Sequence, residues 1–267
     1  MTIELHYNIK KIIYKNSQLL RDNITPIKKF FNHSLKGGGI LVITYKDTEY
    51  KYTQINDDDY YILYSKDEFD CVSVIIDKEN KVGEIHGIGN FKSCLSETNN
   101  QVGSTLLKII IKMLKKYKQT FGINKIILTD NSIKKCGNKD IILSHMLMLL
   151  NGDTWYGKYG FRPIYSNNYD YNKILIKKYK NNQLIINKIT IKEANIMKYI
   201  KKTNNEQLIK AVKKVLETNE TMLLKDFLQN ILTVFDSNCY YFYIFYEQLY
   251  VDIGLENFHK LLFGLNI

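Results

Sequence analysis

From residue 40 onward, short runs of β-branched and aromatic residues alternate with polar turns, the pattern of a half-buried antiparallel sheet. Ile40–Tyr45 and residues 50–55 flank Lys46-Asp47-Thr48-Glu49 as the two arms of a hairpin would. Tyr60–Tyr64 and residues 71–76 continue the pattern, and residues 77–81 turn the chain into a further strand from Val82. Ahead of this meander, residues 3–14 read as a strand and residues 17–33 as an amphipathic helix closed by Gly37-Gly38-Gly39.

The period changes at residue 102. Val102, Leu106, Leu107, Ile110, Ile111 and Leu114 recur at helical spacing with Lys108, Lys112, Lys115 and Lys116 opposite, which predicts a surface helix over residues 102–117. Lys125–Thr129 is a short apolar strand and residues 141–150 an apolar helical run, so the middle of the chain reads strand, helix, strand, helix. From about residue 188 the pattern is helical, in pieces over residues 192–202, 206–218 and 223–235. The aromatic run Tyr240–Tyr246 reads as a core helix with polar tips. The expected fold class is α/β, a mixed sheet with helices, divided into residues 1–180 and a helical C-terminal region, residues 181–267.

Composition narrows the function classes. The chain has 267 residues, 45% hydrophobic and 13% aromatic, enough for a core and unlike a disordered segment. Lys plus Arg number 38 against 27 Asp plus Glu, a net charge of +11 that points to an anionic partner. A bias toward Ile, Asn, Lys and Tyr inflates this charge, and no nucleic-acid-binding motif accompanies it. The start of the sequence lacks a secretory signal pattern, and no run reaches the ~18 apolar residues of a membrane span. A cytoplasmic, non-secreted protein without a membrane partner is expected. Cys71, Cys94, Cys136 and Cys239 are scattered, without a CxxC pair, which predicts reduced thiols and no metal site.

Three constellations, and the end of one strand, could carry chemistry. The first is an extended stretch from Val82 through Ser93, Cys94 and Leu95, a polar loop, and then Gln101-Val102-Gly103-Ser104-Thr105 opening a helix. The unpaired amides of such a helix start face an anion, Gly103 permits close backbone approach, and Ser104 or Thr105 adds a hydroxyl. The second is Glu84 and His86, two apart and on one face of a regular strand, either of which could accept a proton. Asp130, Asn131 and Ser132 end the next strand, at the edge where α/β sheets bind ligands. The third is Trp155-Tyr156-Gly157-Lys158-Tyr159-Gly160-Phe161-Arg162-Pro163, in which Gly160 suits a left-handed terminator and Phe161 packs into the sheet.

The Tyr-Gly-Lys-Tyr-Gly-Phe run resembles the Tyr-x-Lys-x-Gly-Phe signature of the GNAT superfamily, the Gcn5-related N-acetyltransferases. Residues 101–107 resemble that family's phosphate loop and helix start, and the order of elements over residues 40–180 is similar. The resemblance implies acetyl-CoA, or another acyl-CoA, lying in a V between two splayed central parallel strands. It places pantetheine against the backbone of Ser93, Cys94 and Leu95, and pyrophosphate on the amides of Gln101, Val102, Gly103, Ser104 and Thr105. Tyr156 falls where the family often has the tyrosine that protonates the departing thiolate, and Glu84, then His86, would deprotonate the amine. Thr98 and Gln101 depart from the family's loop, where an arginine or glutamine and a glycine are usual, and Gly103 alone keeps the small residue.

The function implied is acyl transfer to a primary amine of a protein, peptide or small molecule. A catalytically inactive module of the same fold, with a helical interaction surface, is the second reading, and a basic nucleic-acid-binding protein the third. A homodimer is compatible with each.

Overall fold

The computed structural model describes residues 40–54, 60–64, 70–89, 94, 102–165, 169–234 and 239–267, and in it the alternating segments form a meander. β1 (Ile40–Tyr45), β2 (Thr48–Gln54), β3 (Tyr60–Tyr64), β4 (Asp70–Asp77) and β5 (Val82–Ile88) pair antiparallel in chain order. Ile43, Tyr52, Leu63, Val74 and Ile85 supply its buried face. The strand and helix expected within residues 1–36 lie outside the described residues.

The amphipathic helix α1 (Val102–Lys116) buries Val102, Leu106, Leu107, Ile110, Met113 and Leu114. It packs across β1, β4 and β5. At ~1.5–3 kcal/mol for each fully buried apolar side chain, this face rather than helix propensity holds α1 in place. The approach is close at Gly83, where a Cβ would stand 3.1 Å from both Leu114 and Ile123 side-chain carbons. On its outer side Lys112 Nζ donates to the Thr44 carbonyl at 2.7 Å and Lys116 Nζ to the Val42 carbonyl at 3.0 Å. The Tyr117 hydroxyl also donates to Val42. Two of the four lysines on the basic face therefore serve the carbonyls of β1.

A single turn, α2 (Lys118–Phe121), leads to β6 (Lys125–Thr129), which lies parallel to β5. The hairpin β7 (Ile133–Cys136) and β8 (Lys139–Ile142) follows, and only then α3 (Leu143–Asn151), so the apolar helical run begins after residue 142 rather than at 141. A 3-10 turn over Gly157–Tyr159 ends at Gly160 with φ +88°, and fully buried Phe161 leads into β9 (Arg162–Ile164). The left-handed terminator expected at Gly160 is thus present.

Beyond β9 come α4 (Tyr169–Ile186), α5 (Ile196–Ile200), α6 (Glu206–Asn219), α7 (Leu224–Val234) and α8 (Cys239–Asp252). The chain then returns as β10 (Leu262–Asn266), antiparallel to both β6 and β9 and lying between them. The sheet order is β1-β2-β3-β4-β5-β6-β10-β9, a mixed α/β sheet whose one parallel pair among the described residues is β5–β6. Residue 180 falls inside α4, and the helices form an excursion between two neighbouring regions of one sheet rather than a tail.

Polar side chains tie the excursion to the β7–β8 hairpin, to the turn after α3 and to its own return segment. The Ile142 amide donates to the Tyr246 hydroxyl at 3.0 Å, and Asn182 exchanges two hydrogen bonds with the Glu256 backbone. Tyr179 hydrogen-bonds Thr154 and Asp153. The same two side chains, Asp153 and Tyr179, crowd Gly157 so closely that a Cβ there would overlap both.

The expectation of reduced thiols is corrected. Cys71 of β4 is bonded to Cys94, with Cα atoms 5.5 Å apart, and Cys136 is also held in a disulfide. Scattered spacing hid this pairing because the meander, not local sequence, carries residue 94 back beside β4. Such bonds persist in oxidising surroundings rather than in a reducing cytosol. Among the described residues no helix is long and apolar enough to cross a membrane.

Two stability outcomes are expected. Gly157→Ala should cost about 3 kcal/mol through overpacking against Asp153 and Tyr179, measured by urea unfolding. Cys71→Ser should cost about 3 kcal/mol, since the bond closes a span of 23 residues. Carrying out the same unfolding in dithiothreitol should erase most of the difference between wild type and Cys71→Ser.

Candidate functional site

The parallel ladder between β5 and β6 runs from Val82–Lys125 to Ile85–Leu128 and stops there. β5 continues to Ile88, still paired with β4 through Gly87–Ser73 and Ile88–Val72. Beyond Ile85 and Leu128 the two central strands are no longer paired with each other. A bulge marks the fork: Ile85 opposes Val74 and Gly87 opposes Ser73, which leaves His86 as the extra residue on β5. Beyond a fork of this kind, the facing backbone groups are available to pair with an extended ligand rather than with each other.

The sequence-predicted residues distribute around this fork unequally. Glu84 is half-buried within the paired stretch, opposite Ile75 and Ile127, whereas His86 is exposed at the bulge. The regular alternation that would put them on one face is thus interrupted between them. Among the described residues no hydrogen bond links either side chain to Tyr156 or Asp130. Ser93, Leu95 and Gln101 lie outside the described residues, and Cys94 is buried in its bond to Cys71.

At the start of α1, Val102 is buried and Gly103, Ser104 and Thr105 are half-buried. Trp155 lies against this turn. Its ring carbons would be 3.5 Å from a Cβ on Gly103, and its Nε1 donates to Ser104 Oγ at 3.4 Å. The next residue, Tyr156, is buried, its ring 6.2 Å from that of Phe161 and 6.3 Å from that of Phe263. Burial raises the Tyr156 phenol above its ordinary value, and the charge of nearby Asp130 adds to the effect. The structure thus brings the helix start, Tyr156 and the end of β6 into one neighbourhood.

Asp130, just past β6, is fully buried. Its backbone is held by the start of β10, with the Asp130 amide donating to Leu261 and the Lys260 amide donating to Asp130. Oδ1 accepts from the Ser132 amide at 3.1 Å and from Ser132 Oγ at 2.5 Å. Oδ2 has no hydrogen-bond partner among the described residues. Burial pushes this carboxyl above the usual aspartate value, against the opposing pull of Ser132, His259 and Ser144.

Two residues here carried no sequence signal. Ser144 opens α3 and His259 precedes β10. Among the described residues, Ser144 Oγ and His259 Nδ1 are both buried without hydrogen-bond partners of good geometry, as is Nδ1 of His145. The Asn257 side-chain oxygen Oδ1 accepts from the His259 amide at 2.8 Å and lies 2.8 Å from His145 Nε2. His145 must therefore donate from Nε2, which leaves a bare lone pair on Nδ1 of the neutral ring. Burial lowers both histidines below the ordinary value. For His259 the Lys260 charge reinforces the shift and Asp130 opposes it. No three His, Cys, Asp or Glu side chains converge as a metal site requires, among the described residues.

Comparison with known protein families, with curated proteins and with solved structures found no match to this chain.

Because the Asp130 carboxyl is raised on folding, its contribution to stability is complete below the unfolded value and is lost as pH rises through the folded one. The lowered histidines act in the opposite sense, contributing above about pH 6.5 and losing that contribution as pH falls through their folded values. Asp130→Asn keeps an oxygen for Ser132 and removes the charge. The stability of wild type relative to Asp130→Asn should therefore fall as pH rises above about 4, by about 1.4 kcal/mol for each unit of displacement, in unfolding measured across that range.

Proposed function

We propose that this protein is an acyl-CoA-dependent N-acyltransferase of the Gcn5-related kind, with acetyl-CoA as donor and a primary amine as acceptor. The observation that carries the reading is the fork, a single parallel pair that parts after Ile85 and Leu128 while β5 runs on to Ile88. An extended pantetheine chain, with amides spaced along it, suits such an opening because the parted strands offer it backbone partners. Support also comes from the helix start at Val102, with Trp155 against it, and from the next residue, Tyr156, near Asp130 at the end of β6.

In this reading the neutral amine attacks the thioester carbonyl directly and CoA leaves as a thiolate. Tyr156 keeps its proton throughout the physiological range. A phenol raised in this way is a poor source of a full proton for a thiolate, whose pKa is about 8.5. Its fitting role is a hydrogen bond to the departing sulfur that strengthens as negative charge develops there. Glu84 is the base nearest in sequence terms to the family pattern, and His86 is the second.

One observation favours the reading as an inactive module. Trp155 lies against the turn on which the pyrophosphate would sit, and its indole already engages Ser104.

Calorimetric titration with acetyl-CoA and with CoA, at two salt concentrations, separates the two readings. Saturable one-to-one binding that survives salt is expected for the enzyme, and absence of binding by the folded protein would leave the inactive module. Gly103→Val should weaken acetyl-CoA binding at least about tenfold, or 1.4 kcal/mol, by forcing side-chain atoms between the helix start and Trp155. Tyr156→Phe should lower kcat about 100-fold with acetyl-CoA affinity unchanged.

A further inference from the structure

Three buried polar atoms at the end of β6 lack hydrogen-bond partners among the described residues, and they come from three separate parts of the chain: Asp130 Oδ2, Ser144 Oγ and His259 Nδ1. A buried group left unpaired costs about 1–3 kcal/mol, so three in one place require an explanation. They are neighbours by construction. β10 begins on the Asp130 backbone through Lys260 and Leu261, and α3 begins on Ser132 through the Leu143 amide at 3.1 Å. Ser144 stands close enough to Asp130 for its hydroxyl to pull the carboxyl down as a hydrogen-bond donor does, and the His259 charge acts in the same sense, while among the described residues no hydrogen bond of good geometry closes on Oδ2. The arrangement has the polarity and the two to four partners that a buried water needs.

We propose that Asp130, Ser144 and His259 form the proton-accepting centre for the acceptor amine, working through a water held between them. The proposal rests on the acyltransferase reading and gives it a base other than Glu84 or His86. Position favours the centre over both. It stands at the end of β6 with Tyr156 in the field of Asp130, whereas Glu84 lies in the paired stretch of β5 and His86 on the exposed bulge.

His259 is half-exposed while its Nδ1 is buried, so the imidazole spans from the unpaired cluster toward solvent. The ammonium gives one proton to the water as the water gives one to His259, and the imidazolium returns that proton to solvent. The neutral amine then forms the N–C bond to the thioester carbonyl. As the C–S bond breaks, the nitrogen loses its second proton, and the products are the amide and CoA thiol, with one proton released to solvent. The groups that set the basicity of His259 are Asp130, which raises it, and Lys260, which lowers it. His145, which stands beside His259 and feels Glu247, and Tyr156, which faces Asp130, complete the charged surroundings.

The test follows histidine titration by NMR in the full-length protein, with and without saturating acetyl-CoA, in wild type, Asp130→Asn and His259→Gln. The signal missing from His259→Gln assigns the residue. The expected result is a His259 titration that moves on acetyl-CoA binding and moves to lower pH in Asp130→Asn, where the favourable charge is gone. With a lysine-containing peptide as acceptor, His259→Gln should lower kcat/KM about 100-fold and remove the acidic limb of its pH profile, with acetyl-CoA affinity retained. If acetyl-CoA binds but leaves His259 unmoved, or if transfer by His259→Gln keeps the wild-type pH profile, the centre is overturned and the acyltransferase reading stands. If wild type does not bind acetyl-CoA, that reading fails and the centre fails with it.

Discussion

The strand with the greatest consequence for this protein is β10, which comes last in sequence and enters the sheet between β6 and β9. β9 has three residues and pairs with β10, so one end of the sheet is completed only when residues 262–266 are in place. Everything between residues 169 and 252 must therefore leave the sheet and return to it. A long excursion is tolerated because the entropy of closing a loop grows only logarithmically with its length. Its helices add buried contacts of their own through Tyr179, Phe242, Phe245, Tyr246 and Tyr250. The same constraint creates the candidate site, since β10 sets Lys260 and Leu261 against Asp130 and brings His259 alongside.

Around that junction, apolar packing and polar chemistry meet within a few residues. Phe161, Phe263 and Tyr156 form a tight aromatic wall, while Asp130 is taken out of water with only one of its oxygens in a hydrogen bond of good geometry among the described residues. The low effective dielectric that makes an unpaired carboxylate costly also makes each nearby charge more influential. Asp130 and His259 accordingly both favour their neutral forms. Each of the two also acts on the other, the His259 charge drawing the Asp130 carboxyl down and the Asp130 charge drawing His259 up.

Much of the fold could be read in advance where one physical rule dominated. The stripe on α1 and the alternation of β1 to β5 depend on local period alone, and Gly160 followed by Phe161 depends on one backbone conformation. The mixed sheet and helices follow from those patterns. What escaped depends on partners distant in sequence. Leu262–Asn266 is a five-residue run after a long helical stretch, and only its slot between β6 and β9 makes it a strand. Cys71 and Cys94 meet because β4 and β5 pair, which no spacing rule for cysteines encodes. His86 shares the expected strand with Glu84, but the bulge that separates their settings arises from the register with β4. Ser144 and His259 are single polar residues in otherwise ordinary contexts, and only the folded chain places them beside Asp130. Residues 93, 95 and 101 were part of the expected coenzyme site and lie outside the described residues.

The two margins of the sheet bear on self-association. At β1, the Val42 and Thr44 carbonyls are already taken by Lys112, Lys116 and Tyr117. At β9, Pro163 has no amide proton to offer, and the Arg162 guanidinium folds back onto the Gly157 and Phe161 carbonyls. Among the described residues, part of the row of donors and acceptors at each margin is thus already taken or missing. Growth of the sheet by edge-to-edge pairing, the first step toward a fibril, is opposed by the same few residues that finish its described ends.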